Sequence, residues 1–222
     1  VNPVRPNAEE THRNRVVRER LPFLIGATLL VVVTAAMGGR LLVWPAGLLA
    51  LLVFWFFRDP RRTIPAEPKA VVSPADGRVV KILEMEENEF LKAKAVRISI
   101  FLNIFNVHVN RVPVTGRIRR LAYRPGKFLA AQSHKASEEN EQNTILIETP
   151  DGARLLFVQI AGLIARRIVC WIGEGDLVER GQRFGLIRFG SRMDVYLPPS
   201  TSLRVRVGDP VKGGETLLGV LS

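Results

Sequence analysis

Cysteine is almost absent from this 222-residue chain: Cys170 stands alone, so no intrachain disulfide can form and nothing asks for an oxidising compartment. Its apolar surroundings, Ile168-Val169-Cys170-Trp171-Ile172, predict a buried core thiol. Histidine is scarce too, with 3 in the whole chain, and no Cys/His cluster suggests a metal site. A Gly-x-Ser-x-Gly elbow is missing around Ser191, which argues against a conventional serine hydrolase. No Met-Lys-Met or Asp-Lys-Ala offers a modifiable lysine at a hairpin tip. Acidic residues are in deficit, 21 against 32 Lys and Arg for a net charge of +11. Such charge suits nucleic acid, an anionic membrane or an acidic substrate. The basic residues are dispersed without interleaved aromatics, so nucleic acid is not the expected partner.

What the chain has in plenty is apolar sequence, 47% of it. Residues 21–57 are almost entirely apolar, broken only by Gly38-Gly39-Arg40. The two runs, 21–37 and 41–57, predict a helical hairpin whose arms, each roughly 26 Å long, sit at the short limit for crossing a bilayer. Two spanning helices and a hairpin dipped into one leaflet both fit. Pro22 and Pro45 fall near the starts of the runs, where a missing N–H is tolerated. Arg13, Arg15, Arg18 and Arg20 precede the hairpin, and Arg58, Arg61 and Arg62 follow it, which places both ends in the cytoplasm. The basic start could belong to a cleaved signal peptide, but the second apolar run argues against that. The expected order is a basic segment 1–20, a membrane hairpin 21–57, a linker 58–70 and a β domain 71–222.

Beyond the linker, short β-branched runs alternate with turn signals such as Ser73-Pro74-Ala75-Asp76-Gly77 and Thr149-Pro150-Asp151-Gly152. The fold class is mainly β, with only 127–143 able to hold a helix or an ordered loop. An internal repeat supports this: Gly175-Asp176-Leu177-Val178-Glu179-Arg180-Gly181 recurs as Gly208-Asp209-Pro210-Val211-Lys212-Gly213-Gly214. Such hairpins resemble those of biotinyl/lipoyl-like barrel-sandwich domains, a statement about fold and not chemistry. A membrane-tethered carrier or adaptor domain of that type is the alternative to an enzyme.

Gly190-Ser191 reads as a self-cleavage site. A serine hydroxyl can attack the preceding carbonyl and turn the amide into an ester, helped by a glycine that leaves the carbonyl unshielded and permits a strained turn. β-Elimination then breaks the chain, and hydrolysis of the dehydroalanine leaves an N-terminal pyruvoyl group. An ordinary Gly-Ser turn is the competing reading.

Four blocks in order carry a family resemblance: Ser73-Pro74-Ala75-Asp76-Gly77, Phe105-Asn106-Val107-His108-Val109-Asn110-Arg111-Val112-Pro113, Lys135-Ala136-Ser137-Glu138-Glu139-Asn140-Glu141 and Phe189-Gly190-Ser191-Arg192. Together they resemble phosphatidylserine decarboxylase in its shorter form, over nearly everything from Phe56 onward. The resemblance implies a pyruvoyl enzyme cut into a β chain, 1–190, and an α chain, 191–222. It implies conversion of phosphatidylserine to phosphatidylethanolamine and CO2 through a Schiff base on the group made from Ser191, at the membrane surface; with the arginine placement above, that is the cytoplasmic side of the cell (inner) membrane. The implied partners are the lipid substrate, an anionic membrane surface and the two chains as a heterodimer, with higher homo-oligomers left open.

Within that frame His108 is the candidate acid for the carbanion, since imidazole titrates near working pH. Asp76 would orient and charge-stabilise a histidine that deprotonates Ser191, following triad logic; turn formation is its plain alternative. Longer family members carry a second histidine where this chain has Arg111, so the base for Ser191 is open between His108 and His134. Arg111 could pair with a substrate carboxylate or phosphate, or form a structural salt bridge. His134, His12 and the acidic stretch 138–141 otherwise read as solvated.

Overall fold

In the computed structural model the described residues are 8–127, 139–162, 167–187 and 190–222. The chain divides between Pro60 and Arg61 into two compact units. The first holds α1 (Ala8–Ala36) and α2 (Arg40–Phe56). The hairpin is present, but α1 begins well before the apolar run, because the Glu- and Arg-rich segment ahead of it consists of good helix formers. Pro22 therefore lies inside α1 and not at its start, as Pro45 does inside α2. Gly38, at φ 69°, makes the bend, and Leu42 N–H returns to the Gly39 carbonyl at 2.8 Å to start α2. Among the described residues no helix is long and apolar enough to cross a membrane. Large apolar side chains nonetheless face outward along both arms, among them Ile25, Leu29, Leu48 and Leu51, with Leu41 and Trp44 near the bend.

The second unit is mainly β. Its described strands are β1 (Ala70–Val72), β2 (Gly77–Glu87), β3 (Ala93–Leu102), β4 (Val109–Arg111), β5 (Gly116–Arg124), β6 (Gln142–Glu148) and β7 (Arg154–Ala161). They continue with β8 (Ile168–Cys170), β9 (Leu177–Val178), β10 (Arg183–Ile187), β11 (Ser191–Leu197), β12 (Ser202–Leu203), β13 (Pro210–Val211) and β14 (Leu217–Val220). Eight form one curled antiparallel half-barrel in the order β13-β2-β3-β11-β7-β6-β5-β9; β1-β14-β12 and β4-β10-β8 form two smaller sheets. Strand periodicity sends alternate residues inward. Ile98, Ile100 and Leu102 of β3, Met193, Val195 and Leu197 of β11, and Leu155 and Phe157 of β7 line the core. Each such fully buried side chain contributes roughly 1.5–3 kcal/mol, and Phe157 meets Phe184 edge-on with centroids 5.0 Å apart. Strand β5 was not among the expected strands: its arginines at 117, 119, 120 and 124 hide an inward Ile118. Of the segment 127–143, residues 128–138 lie outside the described residues; Lys127 bridges to Asn140, and β6 begins at Gln142.

The half-barrel has a pseudo-twofold axis between β11 and β7, and the internal repeat is its visible trace. Gly208 N–H donates to Val79 O and Gly175 N–H to Ile118 O, both at 2.8 Å; Gly214 N–H donates to Ser73 O and Gly181 N–H to Val112 O, again both at 2.8 Å. Arg78 reaches Gly208 O as Arg117 reaches Gly175 O. The first residues of the second unit are strapped onto its repeat. Arg180 donates to the carbonyls of Pro65, Glu67 and Ala70. Ile64 packs against both repeat glycines: a Cβ on Gly181 would overlap its Cδ1, and one on Gly214 would come within 3.2 Å of the same atom.

Candidate active site

Ser191 opens β11, one of the two central strands of the half-barrel, and is paired on one side with Leu102 of β3 and on the other with Ala161 of β7. Its place in the alternation with Met193 and Val195 turns the side chain to the core. The residue is fully buried, and among the described residues its hydroxyl has no hydrogen-bond partner. A buried hydroxyl left unpaired costs about 1–3 kcal/mol and calls for an explanation. Gly190 has φ 70°, in the left-handed region, and a Cβ there would meet nothing within 4 Å. The serine is thus packed on all sides while the glycine before it is open and conformationally special. Gly190 and Ser191, the expected scissile pair, thus stand at the entry to β11.

His108 is brought to that pair. It follows a turn at the end of β3 and precedes β4, and it is buried, 3% exposed. Its Nδ1 lies 2.9 Å from the Asn106 carbonyl oxygen. A carbonyl can only accept, so Nδ1 carries the proton and Nε2 of the neutral ring keeps a lone pair. Gly190 N–H points at that Nε2, 3.4 Å away. The imidazole base therefore faces the backbone one residue before the serine.

Asp76 is not brought to the histidine. Its carboxylate takes two hydrogen bonds from Arg62, at 2.8 and 2.9 Å, and one from Gly213 N–H at 2.8 Å. Arg62 also reaches Glu215 at 3.4 Å. The place a triad gives to a carboxylate is taken at His108 Nδ1 by the Asn106 carbonyl. The turn role is the one the geometry displays: in the equivalent position of the other half, Thr115 Oγ1 accepts from Arg180 N–H at 3.1 Å. His134 and Glu138 lie outside the described residues. Arg111, 5% exposed, donates to Gly181 O at 2.9 Å, so it is spent at least in part on the scaffold. Cys170 is half-buried, and burial pushes its thiol above the usual range, as an unreactive core thiol requires.

A chain of buried amides escaped the sequence reading. Asn143 Nδ2 donates to Gln159 Oε1 at 3.0 Å, and Gln159 Nε2 donates to Asn110 Oδ1 at 2.9 Å and to the Val169 carbonyl at 3.3 Å. The Val169 carbonyl, an acceptor only, fixes the orientation of Gln159 and through it of both asparagines. Among the described residues Asn110 Nδ2 is left without a partner, as is Asn143 Oδ1. Asn110 lies two residues beyond His108, and Gln159 sits opposite Met193, two residues beyond Ser191. The sequence offered little signal for it, since only Gln159 stands in an otherwise apolar run. On the opposite face of β11, Arg192 and Asp194 form a buried ion pair with Nε to Oδ1 at 2.9 Å. The neighbouring Tyr196 has its phenol pushed upward, first by burial and then by the Asp194 charge.

A family model described as phosphatidylserine decarboxylase matches residues 49–219. A protein of Syntrophus aciditrophicus described as phosphatidylserine decarboxylase proenzyme is 49% identical over 94% of this chain and 98% of its own length. Proteins of the same description from Desulfotalea psychrophila, 48% identical over 92% of this chain and 95% of theirs, and Burkholderia cenocepacia, 47% identical over 93% and 96%, match as well.

Proposed function

The chain belongs to the phosphatidylserine decarboxylase family, and from that membership we propose that it opens its own Gly190-Ser191 bond and uses residue 191, as a pyruvoyl group, to decarboxylate phosphatidylserine. The enzyme is a carboxy-lyase made as a proenzyme, yielding phosphatidylethanolamine and CO2. The observation that carries the proposal is the unpartnered, fully buried Ser191 hydroxyl behind a left-handed Gly190, with His108 Nε2 facing the Gly190 amide.

In maturation His108 is the base. It takes the Ser191 proton as Oγ bonds to the Gly190 carbonyl carbon, and the amide nitrogen leaves that carbon and is protonated. Elimination then expels Gly190 as a carboxylate, and water releases ammonia from residue 191. Position 191 suits a ketone: it is buried, flanked by two strands, and its side chain makes no hydrogen bond among the described residues that would have to be broken. When present, the ketone supplies the electron sink that the loss of CO2 demands. The same His108 then returns a proton to the α-carbon. The unused Asn110 Nδ2 is a donor for a polar oxygen of the serine headgroup. Asp76 supports the site from a distance, by fixing Arg62 and the turn at Gly213. The outward apolar side chains of the helical hairpin favour attachment to the membrane, and the arginines at its two ends favour the cytoplasmic side.

Intact mass of purified protein tests this directly. Wild type should separate under denaturing conditions into 1–190 and 191–222, the small chain lacking a free amine, and borohydride added during turnover should fix lipid to the small chain. An intact but fully active protein would overturn the proposal.

A further inference from the structure

The strand that pairs with the reactive serine does not stop at the sheet. Past Leu102, opposite Ser191, the chain makes a turn at 103–106 and comes back in with Val107 and His108, both buried. At its tip Ile104 and Phe105 are 47% and 61% exposed. Elsewhere in the β unit the exposed large apolar residues among those described, Val80, Leu83, Tyr123, Leu177 and Val207, come one at a time along the sequence, which is ordinary for a protein surface. The turn is also rigid: Asn106 N–H donates to Asn103 O at 3.0 Å, Asn103 N–H to Asn106 Oδ1 at 2.9 Å and Phe105 N–H to Asn103 Oδ1 at 2.8 Å. Its two polar side chains are thus turned back on its own backbone, and no charge stands at its tip. A fixed loop that holds two adjacent, substantially exposed apolar side chains, with its root at the reactive bond, suits contact with a lipid surface.

We propose that the turn 103–106 is a membrane prong, with Ile104 and Phe105 entering the lipid interface and so setting the reactive end of the half-barrel against the headgroups. The proposal rests on the lipid substrate inferred above. A phospholipid keeps its acyl chains in the bilayer while its serine headgroup must reach a buried residue 191, so the opening beside that residue has to touch the membrane. An apolar turn two residues from His108 meets that demand. The helical hairpin attaches the protein to the membrane; the prong sets the orientation of the catalytic unit on it.

The test uses the full chain carrying Cys170→Ser, with a nitroxide on Ile104→Cys or, as a control, on Leu177→Cys. Bound to vesicles of phosphatidylserine and phosphatidylcholine, the label at 104 should gain collisions with oxygen and lose collisions with a water-soluble nickel chelate, and the label at 177 should not. In parallel, the double variant Ile104→Ser, Phe105→Ser should self-cleave completely and keep wild-type turnover of a monomeric short-chain phosphatidylserine. On vesicles its KM should rise about tenfold, as expected when two half-exposed apolar side chains lose their lipid contact. A label at 104 that stays in water on vesicles, or an unchanged vesicle KM, overturns the prong, and so does equal loss on the short-chain substrate. Failure of the wild type on both substrates would sink the functional reading instead, and the depth of the label would then decide on the prong alone.

Discussion

The two halves of the barrel use the same backbone at the same place and for different ends. In one half, β6 and β7 are joined by a tight turn that exits through Gly152, φ 84°, into Ala153. In the other, the equivalent strands are β3 and β11: Phe101 pairs with Arg192 as Glu148 pairs with Arg154. No turn joins them, and β11 is entered through Gly190, φ 70°, into Ser191. A left-handed glycine with open space around it therefore also serves as a hairpin exit, where no cleavage is expected. The differences between the halves are the serine in place of alanine, the free strand end that leaves room for His108, and the charge at Asp76 in place of Thr115.

The largest effect should come from giving the reactive half the residue of the quiet one. Ser191→Ala should abolish both cleavage and decarboxylation while leaving the fold intact, seen as a single chain by mass. The reciprocal Ala153→Ser creates a second Gly-Ser pair behind a left-handed glycine and should leave that bond whole; cleavage there would show that backbone shape suffices and that His108 does not. Next comes His108→Ala. It should leave uncleaved precursor if Nε2 is the base for Ser191, and in any fraction that matures, decarboxylation should fall by about 10²–10⁴. Normal maturation and normal rate would remove His108 from the site.

Smaller is the exchange at the matched turns. Asp76→Thr keeps an acceptor for Gly213 N–H but leaves Arg62, whose side chain is 7% exposed, with Glu215 alone. The expected cost is about 3 kcal/mol in urea unfolding, typical of a buried pair that loses one partner. Precursor accumulating in a folded Asp76→Thr protein would assign the carboxylate a direct part in maturation. Smallest is Thr115→Ala, which removes one exposed hydrogen bond and should cost about 0.5–1 kcal/mol; a loss as large as that at Asp76 would erase the distinction between the halves.

Much of this was legible in the sequence, and the reasons differ by residue. Gly190-Ser191 and His108 stand in contiguous motifs, so they could be singled out as candidates in one dimension. The C-terminal repeat was legible because glycine and aspartate recur at fixed spacing. Its counterpart in the first two thirds, Ser73 to Gly77 against Val112 to Gly116, was not, because the backbone hydrogen bonds they share are indifferent to the side chains. Strand β5 was hidden by arginines that only the curl of the sheet places outside. The amide chain through Asn110, Gln159 and Asn143 depends on the register of β6 and β7 and on the meeting of separate sheets, which no local pattern announces. Asp76 was read through the family motif, whereas its observed partner, Arg62, comes from the strap that precedes the β domain.

Opening the bond before Ser191 would also change the order of the folding reaction. Strand β11 lies between β3 and β7, β13 pairs with β2 and β14 with β1, so the 191–222 segment is threaded through the half-barrel and stays there after the cut. The precursor folds as one molecule at a rate and stability independent of its concentration. Once unfolded, the mature enzyme must refold from two molecules, with the free energy of their association now counted against it. Maturation is in this sense a ratchet: dilution leaves the native enzyme whole, yet penalises every return from the unfolded state.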